Sequence, residues 1–186
     1  MSETQTPYDF KKYLPCAFDG FDEKGNPRKQ TYRGKSFLNF AKEELNLVKS
    51  ITNYPLCPKN KQFYFNRIEQ SLKDQEPHRH SLREIFMMVR SYDIQLTEFV
   101  ENCLVKLDEK SQDYSNNGEK YHTFNYTADF NNIPVVLSIN VMIGVKLGRI
   151  SAIINREKVI NESLVDSLID LCGYVLLIEG FKRGLQ

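Results

Sequence analysis

Three carboxylates recur four residues apart late in the chain, in the run Glu162-Ser163-Leu164-Val165-Asp166-Ser167-Leu168-Ile169-Asp170. On a helix this spacing stacks them in one column. Like charges so placed destabilise an isolated helix by about 0.2–0.5 kcal/mol per pair, and by more once partly buried. Something positive should therefore face the column. A hard divalent cation such as magnesium would serve, because it prefers oxygen ligands and bridges carboxylates to substrate phosphates. So would Lys146 and Arg149, three residues apart just upstream. Metal and cations together would make a triphosphate site, whereas the cations alone would be interhelical ion pairs with Asp166 and Asp170. The spacing is compatible with both.

The elements that must position these residues follow from periodicity. Residues 161–181 carry matched helix ends: Asn161 as N-cap, Glu162 in the first turn, Lys182 and Arg183 in the last, then Gly184. Apart from the acid column this helix is apolar around most of its circumference. Residues 133–154 are rich in Val and Ile, which favours strands, but the run is about six helical turns long and Pro134 suits a first turn. Length decides for a buried helix. From Ser81 a helical pattern runs to about Gln112, as one long helix or two joined near Ser91, and Asn116-Asn117-Gly118 stops it. Residues 121–131 alternate in a way that suits a strand.

Towards the N-terminus, Phe37, Phe40, Ala41, Leu45 and Val48 recur at helical spacing after Ser36, a plausible N-cap, with Glu43 and Glu44 on the other side. Residues 63–72 suit another short helix. Residues 1–35 read as irregular, with Gly20, Gly25, Pro27 and Gly34 as turn formers and a hairpin of Cys16 to Phe21 with Lys29 to Tyr32 as one arrangement. The expected division is an N-terminal extension over residues 1–80 and a helical domain over 81–186.

Three segments in order give the second half a resemblance to the MazG-like nucleotide pyrophosphohydrolases, particularly those tied to phage nucleotide modification. They are Lys110-Ser111-Gln112-Asp113-Tyr114, then Val145-Lys146-Leu147-Gly148-Arg149-Ile150, then Asn161-Glu162 followed by Asp166, Asp170 and Tyr174. The likeness spans residues 98–182. It implies a mainly α fold, with a MazG-like helical bundle in the C-terminal half and an irregular or α+β N-terminal extension, usually assembled as a dimer or tetramer. It also implies magnesium-dependent cleavage of an ordinary or modified nucleoside triphosphate to monophosphate and pyrophosphate, in a chain of phage or bacterial origin. By this likeness Glu162, Asp166 and Asp170 would hold the metal and be catalytic, Lys146 and Arg149 would bind phosphate, and Lys110, Asp113, Tyr114 and Tyr174 would line the substrate site. Better-known members pair a Glu-x-x-Glu helix with a Glu-x-x-Asp helix directly behind it. Here Glu98-x-x-Glu101 is separated from the acid column by a whole helix, so a solvated face is an equal reading of Glu98 and Glu101. That departure motivates a second expectation, a protein that binds or sequesters a nucleotide, such as a signal of host defence, without cleaving it. A protein-interaction module that uses residues 1–80 is a third.

Composition limits the alternatives. The chain has 186 residues, 41% of them hydrophobic and 26% charged, with a formal net charge of +1. Those values suit a soluble domain and give no global field for nucleic acid or an acidic membrane. Lys59, Lys61 and Arg67 are scattered cations of an ordinary surface. The longest apolar run, 133–145, is broken by Ser138 and Asn140 and falls short of a membrane span. The N-terminus has no signal core, so a cytoplasmic location is expected. Cys16, Cys57, Cys103 and Cys172 show no paired spacing and read as free thiols. His78 and His80 flank Arg79 after Pro77 as a solvated loop rather than a metal site, and His122 reads as structural.

Overall fold

In a computed structural model, the described residues are 36–52, 60–114, 121–155 and 163–185, and every element among them is helical. In chain order these are α1 (Phe37–Ile51), α2 (Lys61–Lys73), α3 (His78–Ser91), α4 (Leu96–Tyr114), α5 (His122–Asn131), α6 (Val135–Ile154) and α7 (Leu164–Lys182). The expected mainly α class therefore holds for the described residues. The hairpin read over 16–32 and the stop at 116–118 lie outside them, as do Cys16 and Cys57.

Side-chain caps start three of the helices. Ser36 accepts from the Asn39 amide at 3.3 Å, Asn60 from Phe63 at 3.0 Å and Ser163 from Asp166 at 3.0 Å. The last helix thus begins two residues later than Asn161 predicts. Three connections end a helix on a non-glycine residue in the left-handed region: Gln75 (φ 52°), Asp93 (φ 60°) and Asn132 (φ 53°). After each, the next amide reaches back to a carbonyl of the last turn: Glu76 to Ser71, Ile94 to Val89 and Ile133 to Ala128. Gly184 (φ 66°) closes α7 in the same way, with Leu185 bonded to the Gly180 carbonyl at 2.9 Å. The turn at Asp93 is what divides the long run after Ser81 into α3 and α4.

The centre of the fold is α7. It packs most extensively on α6 and also touches α4, α3 and α1, and most of its surface is buried, including Leu168, Leu171, Cys172 and Leu176. Phe37, Phe40, Leu45 and Val48 of α1 and Tyr64, Phe65 and Ile68 of α2 join this same core. All the described residues fall within one compact unit. Gly180 is required by the close approach of α1: a Cβ there would lie 2.7 Å from the Phe37 ring.

Three expectations are corrected. Residues 121–131 are not a strand. Phe124 and Ala128, one turn apart, are the buried pair of a helix, and the alternation comes from exposed polar residues. The helix after Pro134 forms but is not a buried one: its inner face presents Ile139, Ile143, Lys146 and Ile150, while Leu137, Val141 and Val145 are exposed. Because it continues to Ile154, it is long and apolar enough to cross a membrane by length and composition alone. Glu44 faces inward rather than outward, at 4% exposure.

Candidate functional site

Asp166, Asp170 and Tyr174 follow one another at successive turns of α7, so the helical column exists for these residues. Its members do different things. Asp166 is exposed and belongs to the helix cap: the Ser163 hydroxyl donates to its carboxylate at 2.7 Å while accepting from its amide. Asp170 is largely enclosed, with its side chain 14% exposed. Lys146 of α6 donates to Oδ2 at 2.6 Å, and Lys110 of α4 donates to Oδ1. Tyr174 is buried. Its ring centre lies 5.6 Å from the Lys110 ammonium and meets Phe124 edge-on at 6.4 Å.

The electrostatics follow from this enclosure. Burial by itself would raise the Asp170 pKa, but the two lysine hydrogen bonds and their charges outweigh it, so the carboxyl is held below its usual range. Lys146 is 7% exposed on the inner face of α6. A buried ammonium needs a counter-charge, and Asp170 supplies it. Arg149 stands exposed one turn further along α6. Beside this trio, at the surface between α4 and α7, Lys106, Lys110, Asp170 and Tyr174 line a cavity with Cys103, Leu107 and Gly173. Its volume of about 20 Å³ holds about one water and no nucleotide base. A larger anion would have to engage the rim, where Lys106 is half-exposed.

The remaining candidates separate from this cluster. Glu162 lies outside the described residues. Asp113 and Tyr114 occupy the last turn of α4, and their side chains are likewise outside the described part. Glu98 and Glu101 are exposed near the start of α4. Among the described residues no three carboxylate, histidine or cysteine side chains converge as a metal site requires. Both Asp170 oxygens already accept from ammonium groups, so as placed Asp166 and Asp170 do not fit a divalent cation between them.

A second polar cluster was missed by sequence reasoning, and it overturns the solvated-loop reading of His78 and His80. Both histidines lie in the first turn of α3, directly after Pro77. The His78 side chain is only 9% exposed; Nε2 lies 3.0 Å from Glu44 of α1 and Nδ1 3.6 Å from Glu179 of α7. Arg79 grips Glu44 with two hydrogen bonds of 2.5 and 2.8 Å, and Arg183 grips Glu179 at 2.6 Å. Burial pushes the Glu44 pKa up, but the Arg79 and His78 hydrogen bonds and charges outweigh that and bring it down to about 2. One turn on, Glu84 is 1% exposed and receives Arg67 and Arg83 at 2.8 and 2.9 Å, with His80 at 3.6 Å. The available signal was the phase of Glu44, which shares the α1 face of Phe37, Phe40, Ala41 and Val48. Arg67, read as scattered surface cation, is an ion-pair partner here. Cys103 and Cys172 are buried and unbridged, and burial, with Cys103 beside it, pushes the Cys172 thiol up.

No protein-family model matches the chain, and neither a curated protein nor a solved structure is found to be similar to it.

Proposed function

We propose that this chain binds an anionic, phosphate-bearing small molecule of the nucleotide class at the cluster formed by α4, α6 and α7. The observation that carries the reading is a pair of ammonium groups converging on one carboxylate beside a surface cavity. Lys110 and Lys146 both donate to Asp170, and Lys106, which pairs with Glu109 at 3.6 Å, lines the cavity with Lys110 and Asp170. Ammonium groups beside a low-dielectric wall attract phosphate oxygens, and the Tyr174 ring offers an aromatic edge. The nucleotide class comes from the resemblance of the three segments that supply Lys110, Lys146 and Tyr174.

Magnesium-dependent cleavage to monophosphate and pyrophosphate is the second reading. One observation favours it: Asp166 presents an exposed carboxylate one turn from Asp170. A divalent cation at Asp170 would first have to displace an ammonium group, so binding is preferred over turnover as the primary activity. On either reading the nucleotide is the partner sought.

Calorimetry with nucleoside mono-, di- and triphosphates, with and without magnesium, tests the proposal. Binding that weakens at least tenfold in Lys110→Met supports it, as tenfold is the loss of about 1.4 kcal/mol. Release of pyrophosphate, lost in Asp166→Asn, would move the second reading to first place. If no nucleotide binds, while Asp170→Asn lowers stability, the trio is a structural ion-pair strut and the proposal fails.

A further inference from the structure

The imidazole of His78 is held between two helices other than its own. It lies in the first turn of α3, directly after Pro77, with its side chain 9% exposed. Nε2 stands 3.0 Å from Glu44 of α1, and Nδ1 3.6 Å from Glu179 in the last turn of α7. The Phe40 ring of α1 is 6.2 Å away, centre to centre. Two further charges belong to the cluster. Arg79 grips Glu44 from α3 itself, and Arg183, at the C-terminal cap of α7, grips Glu179 and stands over the Phe40 ring at 5.1 Å. Helices α2 and α4 also pack on α3, but among the described residues neither supplies His78 with an ion pair.

A neutral imidazole has one N–H and one lone pair, and only the imidazolium offers a donor at both nitrogens. Here both nitrogens face carboxylates and little water reaches the ring. We propose that His78 is a proton-operated latch: its imidazolium fastens the last turn of α7 to α3, and loss of the Nδ1 proton as pH rises releases that turn. The geometry decides which proton leaves. Nε2 is at hydrogen-bond length from Glu44 and keeps its hydrogen. Nδ1 is beyond that length from Glu179, so its contact is one of charge alone and ends with the proton. The bare Nδ1 lone pair then faces a carboxylate oxygen with little solvent to screen it. The two ties also differ in what backs them up. Glu44 keeps both Arg79 hydrogen bonds whatever the ring does, so α1 stays fastened to α3. Glu179 has Arg183 as its other partner, and Arg183 belongs to the same end of α7, so nothing else in the cluster joins Glu179 to α3. The latch is independent of the nucleotide reading, because Glu179 lies nine residues beyond Asp170, about 13 Å along the helix.

Imidazole nitrogen NMR and amide exchange on the full chain, between about pH 5 and about pH 8 where histidines ordinarily change charge, test it. At the lower end the His78 ring, assigned through its own backbone, should carry a proton on both nitrogens, and at the upper end only on Nε2. Across that step the amides of residues 179–183 should lose about fivefold in protection, after correction for the intrinsic exchange rate, while those of α1 keep theirs. Glu179→Gln should abolish the loss while the ring still titrates, which separates the latch from His80 and His122, the other two histidines. A His78 ring that keeps one protonation state throughout overturns the proposal. So does protection that does not follow the ring, or a loss that survives in Glu179→Gln.

Discussion

Asp170 carries two obligations, since its charge faces one ammonium in the interior and another at the rim. Asp170→Asn takes the Asp170 charge away from Lys146, which is 7% exposed, and such breakage costs about 3–5 kcal/mol at fully buried pairs. Because Asp170 keeps some solvent contact, about 2–3 kcal/mol is expected here by the same reasoning. Urea unfolding measures it, and pairing the change with Lys146→Met should recover part of the loss as a coupling energy. Gly180 gives a second expectation at this scale. A methyl group 2.7 Å from the enclosed Phe37 ring forces α1 and α7 apart, so Gly180→Ala should cost about 1–3 kcal/mol despite alanine's better helix propensity. A neutral or stabilised variant in thermal melts would show that α1 is placed wrongly.

Between elements, α3 does more than bury an apolar face: His78 in its first turn meets Glu44 of α1 and Glu179 of α7, and Glu84 further along receives Arg67 of α2. The Glu44 carboxyl has a folded pKa of about 2 against an ordinary 4.5. Its contribution is therefore complete above pH 4.5 and is lost as pH falls from there towards 2. The shift corresponds to about 3 kcal/mol, and Asp170, also lowered, acts in the same direction. Unfolding free energy should drop over that window, and Glu44→Gln should lower stability at pH 7 while flattening the acid limb. Reading such ties from sequence has a physical limit. Helix phase predicted the apolar faces of α1, α3 and α7 and put Asp166 and Asp170 in one column. It did not reveal that His78 and Arg79 would meet Glu44, because a salt bridge across 34 residues depends on how helices cross. The ends of α2 and α3 were legible within a residue or two, near Leu72 and Ser91, but not their form: left-handed stops are sought at glycine, and Gln75, Asp93 and Asn132 take that position here. In α5 polar residues happened to alternate with aromatics, so a period of two masked a period of 3.6.

For the molecule as a whole, α7 serves as the common wall against which α1, α3, α4 and α6 are laid. A chain that stops at residue 160 should therefore lose cooperative unfolding and amide-exchange protection throughout α1–α6, not only near the cut; a truncated chain with native-like protection would refute that role. The candidate cluster depends on the same wall, since Lys110 and Lys146 come from helices that both pack on α7 and converge on its Asp170. Its carboxylate column was visible in the sequence, but the identity of the facing charges was undecided there. The fold resolves Asp170 as a lysine-clamped group and Asp166 as a cap, a distinction that spacing cannot make.

The order of the elements has a consequence during synthesis. A ribosome delivers α7 after every helix it shelters, so the emerging polypeptide must carry several water-averse surfaces that have nothing yet to lie against. Folding must then wait until α7 has emerged, and in the interval these surfaces are open to self-association or to capture by chaperones.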